Sequence, residues 1–230
     1  VGPRWQVVVN GTGCHDEASG RVTGYDLATG RQIWEVLGTS DIVCPTAIVA
    51  EGLVVSVSGS NGPVLALDTQ TPEPTMRWQH ASGGAYVPTG LIYQDRLYLV
   101  DDNGIMRCLK VDDGSQVWKE RLGAPVSASL VAGAGKIYVA AESGDVFVIA
   151  AADQFQLLSK NPLGERIQAT PAIVGQSLLV RSAGHLYCFA DKSIGDGTSE
   201  VENPAGDEAA EITAPSPSDA VISSDTTASG

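Results

Sequence analysis

The chain repeats itself about every 40 residues, and that period limits its fold more than any other feature. Glycines that follow a small or polar residue occur at Ser19-Gly20, Asn61-Gly62, Asn103-Gly104, Ser143-Gly144 and Ala183-Gly184, at intervals of 42, 42, 40 and 40. Such pairs supply the positive φ of tight hairpin turns, so each is expected to be a turn. β-Rich runs precede them (LVVSVS, LYLVDD, IYVAAE, LLVRSA) and follow them (VTGYD, VLALD, MRCLK, VFVIA, LYCFA). A further short apolar stretch lies upstream of four of them (CPTAIV, VPTGLIY, VSASLVA, ATPAIV). The unit is thus about four short strands with no helical stretch. Self-similarity at this period in all-β sequence predicts the blades of a β-propeller.

Tryptophans keep the same beat. Trp34, Trp78 and Trp118 lie 44 and 40 residues apart, and one further step of 40 falls on Leu158, where the tryptophan is lost. A four-stranded blade is apolar on both faces and cannot cover them alone. A tryptophan at the end of the outer strand is large enough to reach the next blade and bury area there. Asp26 and Gly30 are expected to shape the turn before Trp34, through side-chain capping of backbone amides and positive φ. Asp68 holds the corresponding place before Trp78, with two extra residues in a Pro-rich turn. Gly114 does so before Trp118, with Lys110 at the aspartate position. Val148 to Leu158 is a degenerate copy, and Cys188-Phe189-Ala190-Asp191 a truncated one.

The pattern Gly24-x-Asp26-x-x-Thr29-Gly30-x-x-x-Trp34 resembles the tryptophan-docking motif of the pyrroloquinoline-quinone (PQQ) repeat propellers, and the resemblance spans residues 1–191. It implies an all-β propeller of four-stranded blades, about five of them here, the first irregular and the last without its outer strand. Propellers typically have 4–8 blades, and relatives are usually larger than five, so the chain is expected to be the C-terminal part of a larger propeller. The last blades resemble PQQ-like propeller proteins common in planctomycete-type bacteria. They are also similar to the propeller lipoprotein of the outer-membrane protein assembly machinery, which binds partners through loops and has no catalysis.

The family also includes quinoprotein dehydrogenases, so enzyme chemistry has to be weighed. The resemblance implies that those enzymes stack PQQ beneath a disulfide of adjacent cysteines and ligate Ca²⁺ through Glu and Asn. Cys14, Cys44, Cys108 and Cys188 are never neighbours, so no PQQ is expected. Cys108 and Cys188 take the first, usually alanine, position of the docking motif and are expected to be small buried hydrophobes. Asp101-Asp102-Asn103-Gly104 clusters hard oxygen ligands but falls on the turn that every repeat has. Cys14-His15-Asp16-Glu17 lacks a second ligand set for a metal. His80 and His185 are read as surface residues without partners. Asn10-Gly11-Thr12 matches a glycosylation sequon, yet Asn-Gly is read as a hairpin turn. Ser58-Gly59-Ser60-Asn61-Gly62 lacks the strand-then-helix setting of a nucleophile elbow. No catalytic, cofactor or metal residue emerges; the expected roles are structural.

Charge narrows the partners. The formal net charge is −13. From Lys192 onward eight acidic residues face that single lysine, giving −7 and leaving −6 for residues 1–191. Neither part offers a basic face for phosphates, which argues against nucleic acid. No apolar run approaches the roughly 20 residues of a membrane span. Residues 192–230, rich in Ser, Thr, Pro, Asp and Glu, are expected to be a disordered acidic tail. The expected function is a non-catalytic scaffold that binds protein, periplasmic or otherwise extracytoplasmic. The alternatives are a fragment of a PQQ-dependent oxidoreductase with catalytic residues upstream, and a carbohydrate-binding propeller.

Overall fold

The computed structural model describes residues 5–11, 20–50 and 52–190. The chain divides into two units, Val1–Asp191 and Lys192–Gly230. The second unit, and with it the expected tail, lies outside the described residues, as does the Cys14-His15-Asp16-Glu17 cluster.

Five antiparallel sheets follow one another along the chain. Blade 1 has β1 (Gln6–Gly11), β2 (Gly20–Asp26) and β3 (Gln32–Thr39). Blade 2 has β4 (Ile48–Ala50), β5 (Leu53–Val57), β6 (Val64–Asp68) and β7 (Thr75–His80). Blade 3 has β8 (Leu91–Tyr93), β9 (Arg96–Val100), β10 (Ile105–Lys110) and β11 (Gln116–Arg121). Blade 4 has β12 (Val131–Gly133), β13 (Lys136–Ala140), β14 (Asp145–Ala150) and β15 (Leu157–Pro162). Blade 5 has β16 (Ala172–Val174), β17 (Ser177–Arg181) and β18 (Leu186–Ala190). Within each sheet the strands pair in sequence order. By their registers, β1 to β3 hold the second, third and outer positions of a blade, and β16 to β18 the first three. No helix occurs among the described residues. The architecture is that of propeller blades.

The three-residue first strands converge: β4 runs beside β8, β8 beside β12, and β12 beside β16. The core is correspondingly divided into layers between successive blades. One layer joins Val55, Ala66 and Trp78 of blade 2 to Leu97 and Leu109 of blade 3. The next joins Tyr98, Cys108 and Trp118 of blade 3 to Ile137, Phe147 and Ile149 of blade 4. Each blade buries its faces only against its neighbours, so stability is a sum of neighbouring interfaces.

The turns differ from the simple glycine reading. Positive φ occurs at Gly104 and Gly144, but at Asn61 rather than Gly62, and Gly20 lies inside β2. A Cβ on Gly104 would collide with the Ala124 carbonyl oxygen, so this glycine is required for approach of the linker to blade 4 as well as for its φ of 73°. The two-residue hairpins lie elsewhere, between the first and second strands. Gln94-Asp95 (φ 49°, 58°) and Ala134-Gly135 (φ 50°, 73°) have positive φ at both residues, the hallmark of a type I′ turn, whose twist matches the flanking strands. Gln-Asp carries no glycine to betray such a turn. Asn10 and Gly11 likewise belong to β1 and not to a turn; Asn10 Nδ2 donates to the Pro45 carbonyl at 2.9 Å.

Candidate functional site

The joints between blades 1 to 4 share one construction. Trp34, Trp78 and Trp118 are 6%, 8% and 8% exposed. Each lies opposite the same position of the third strand, on Gly24, Ala66 and Cys108. A register shift occurs there in every case: one extra outer-strand residue, Ile33, Arg77 or Val117, is bulged out just before the tryptophan. A bulge twists a strand and re-aims a side chain, and here it accompanies an indole that packs on the next blade.

The receiving surface is a cross-strand apolar pair. Trp34 packs with Val54 and Leu67, which face each other across β5 and β6. Trp78 packs with Leu97 and Leu109, and Trp118 with Ile137 and Ile149. The indole N–H groups of Trp78 and Trp118 donate to the next blade's turn, at Val111 O (2.8 Å) and Ala152 O (2.9 Å). Trp34 departs from this: its N–H donates to Gln6 Oε1 of its own blade at 2.7 Å. The receiving turn of blade 2 is the one lengthened by the two extra residues.

Turn chemistry fixes the loops between third and outer strands. Asp26 Oδ1 accepts the backbone amides of Ala28 (3.1 Å) and Thr29 (2.8 Å) and the Thr29 hydroxyl, and Gly30 follows at φ 68°. Asp68 accepts Gln70 N at 3.0 Å and pairs with Arg77 at 2.6 Å. Where Lys110 replaces the aspartate, Asp113 accepts Ser115 N at 2.8 Å instead. Gly114 (φ 71°) lies directly against the Trp78 ring; a Cβ there would come within 2.7 Å of Trp78 Cδ2.

Leu158 is not the residue that stands in for the missing tryptophan. Blade 4's turn is one residue longer, so Val148 faces Ser159, and Leu158 is the bulged residue. Stepping by a constant 40 misplaces the position by one.

A second series leaves no clear mark in the sequence because it uses common residues. Thr46 N donates to Thr89 Oγ1 (3.0 Å), Thr89 N to Ser129 Oγ (3.1 Å) and Ser129 N to Thr170 Oγ1 (3.1 Å). These hydroxyls recur at 43, 40 and 41 residues, just before each first strand. They tie blade to blade where the first strands converge.

The turns between second and third strands carry the carboxylates. Asp101 Oδ1 accepts Asn103 N (3.0 Å) and Ile105 N (2.9 Å). Asp102 accepts Tyr86 N (2.6 Å) and Val87 N (3.1 Å) of the linker that enters blade 3. In blade 4, Glu142 takes the Ser127 hydroxyl and the Arg166 guanidinium, whose Nε lies at 2.9 Å. The Ser127 bond first, and Arg166 second, hold the Glu142 carboxyl below its ordinary pKa. In blade 5 the carboxylate comes from the linker: Glu165 accepts Ser182 Oγ (2.5 Å) and Gly184 N (2.9 Å) and meets His185 Nδ1 at 2.7 Å. His185 therefore has a partner. So does His80, whose Nε2 lies 2.8 Å from Gly114 O. That contact needs a proton on Nε2, since a carbonyl only accepts. Cys108 is fully buried, but Cys188 is exposed, because no outer strand lies over β18 among the described residues.

No cysteines adjoin, and the acidic pair that could ligate Ca²⁺, Asp101 and Asp102, accepts backbone amides instead. Among the described residues no group of three or more His, Cys, Asp or Glu is arranged around a metal site, and no helix is long and apolar enough to cross a membrane.

The chain is similar in fold to BamB from Moraxella catarrhalis, at 16% identity and a TM-score of 0.62, over 80% of this chain and 57% of that one. It thus spans little more than half of that protein's length. Two computationally designed proteins are also similar. Ika8 gives 13% identity and a TM-score of 0.63, over 76% of this chain and 56% of that one. Ika4 gives 13% and 0.59, over 70% and 99%. No curated protein matches. The family model described as outer membrane protein assembly factor BamB matches residues 4–120 and again 102–228, so the chain belongs to that family of PQQ-like repeat propellers.

Proposed function

We propose that this chain is a non-catalytic scaffold that binds protein outside the cytoplasm. One observation carries the reading: large apolar side chains are displayed on linkers whose backbone is already fixed. Tyr86 and Val87 are 40% and 39% exposed, while Asp102 holds both of their amides. Ile42, 45% exposed, occupies the preceding linker, where Ser40 accepts its amide at 3.3 Å. Preorganised loops bearing tyrosine and aliphatic groups suit protein recognition, because little freedom is lost on binding. The carboxylates at the turns hold amides, hydroxyls and a guanidinium, and so serve architecture. The name of the matched family, an outer membrane assembly factor, supports both the protein partner and the location.

The test is capture of a defined protein from an envelope fraction with the full chain, compared with Tyr86→Asp and Val87→Asp variants. A partner retained by the parent and lost by the variants is expected. Equal retention by all three contradicts the linker surface. Stoichiometric uptake of PQQ with Ca²⁺ and dye reduction would overturn the non-catalytic reading.

A further inference from the structure

Three of the four joints between successive described blades are filled by an indole, and the fourth is not. Blade 5 offers the same floor as the others: Leu178 faces Phe189 across β17 and β18, as Leu97 faces Leu109 and Ile137 faces Ile149. The residue that should reach it from blade 4 is Ser159, opposite Val148. Its hydroxyl turns along its own strand and accepts Asn161 Nδ2 at 3.0 Å. A cavity of about 400 Å³ remains, lined by Tyr138, Val148 and Asn161 of blade 4 and Ile173, Leu178 and Phe189 of blade 5.

We propose that this slot between blades 4 and 5 receives an aromatic side chain of indole type presented by a protein partner. The proposal rests on the protein-binding reading and names a site for it. Three features of the slot select the occupant. The floor, Leu178 and Phe189, is a cross-strand apolar pair at the same register as the pairs that take Trp78 and Trp118 within this protein. The volume falls within the roughly 300–1,000 Å³ of ligand sites. No Asp, Glu, Lys, Arg or His lines the cavity, so a charged metabolite would enter without a counter-ion, at a large desolvation cost. A neutral aromatic side chain has no such cost, and the amide oxygens of Asn161 and Gln176 at the wall can accept its N–H.

The experiment titrates the full chain, methyl-labelled with ¹³C, with N-acetyl-tryptophanamide and with N-acetyl-glycinamide as control. Saturable shifts of the Ile173 and Leu178 methyls, with direct cross-relaxation to the indole, are expected from the first compound only. Ser159→Trp should fill the slot from within, raise the thermal midpoint and weaken binding at least tenfold. Leu178→Glu, which places a charge in the floor, should abolish binding and serves if the first variant does not fold. Methyls that stay still up to the solubility limit, or variants that bind as tightly as the parent, overturn the slot. A partner protein retained equally by the parent and Ser159→Trp also overturns it, while leaving the scaffold reading in place. Indole binding to a chain that retains no protein overturns the partner as occupant.

Discussion

Replacing Trp118 by alanine tests the joint between blades 3 and 4. The indole is 8% exposed and packs with Tyr98, Ile137 and Ile149. Phe155 meets it edge-on with centroids 5.3 Å apart. A buried tryptophan withdraws about 150–250 Å² from water. At about 25 cal/mol per Å² that is roughly 4–6 kcal/mol, an upper bound because the unfolded chain already hides some surface. Measured Trp→Ala changes in cores cost about 3–5 kcal/mol. The bond to Ala152 O, 2.9 Å long, adds little, since that half-exposed turn can recover water; net values are about 0.5–1.5 kcal/mol. A loss of about 3–5 kcal/mol is therefore expected, read from urea unfolding. Hydrogen exchange should speed up in blades 3 and 4 more than in blade 1, because each blade is supported by its neighbours. A loss below about 1 kcal/mol would refute the argument that this indole is the joint.

Gly114→Ala should destabilise more than Gly135→Ala by at least about 1 kcal/mol in the same assay. Both sites have near-equal positive φ, costing an L-residue about 1–2 kcal/mol, but only the Gly114 methyl meets the Trp78 ring, whereas Gly135 has open space. Burial pushes the Cys108 thiol up to about 11, so mass-spectrometric mapping after alkylation at neutral pH should find Cys108 unmodified beside labelled Cys44 and Cys188, and modified only on unfolding. Glu142 has a lowered folded pKa, so its contribution is complete above its ordinary value of 4.5 and is lost as pH falls below that through the folded value. Glu142→Gln should therefore flatten the acid limb of a stability-against-pH curve.

The blades were legible because their period is written in residues with few substitutes. Strand runs, the Asp26 and Gly30 turn and the three docking tryptophans all keep register. What escaped was written in interchangeable chemistry. The hydroxyl series Thr46, Thr89, Ser129 and Thr170 mixes serine with threonine. The type I′ turn at Gln94-Asp95 lacks the glycine that usually reports positive φ. The constant period points to Leu158 as the lost tryptophan position, because a one-residue longer turn moves the register to Ser159 without leaving a local mark. His80 read as a solitary surface residue because its partner, the Gly114 carbonyl, is main chain from another blade. The slot itself is a missing side chain, visible only once the neighbouring floor, Leu178 and Phe189, is placed beside it.

Blades 1 to 4 are joined by indoles inserted into the next blade's cross-strand pair. The chain has four tryptophans, so one nuclear magnetic resonance experiment on indole-¹⁵N-labelled protein, recording N–H exchange and contacts to methyl groups, reads the three indole-filled joints at once. The Trp78 and Trp118 N–H groups should exchange slowly, with contacts to Leu97 and Leu109 and to Ile137 and Ile149 respectively, while Trp5, which is highly exposed, exchanges fast. Fast exchange at Trp78 and Trp118, or contacts confined to their own blades, would mean that the indoles do not join the blades.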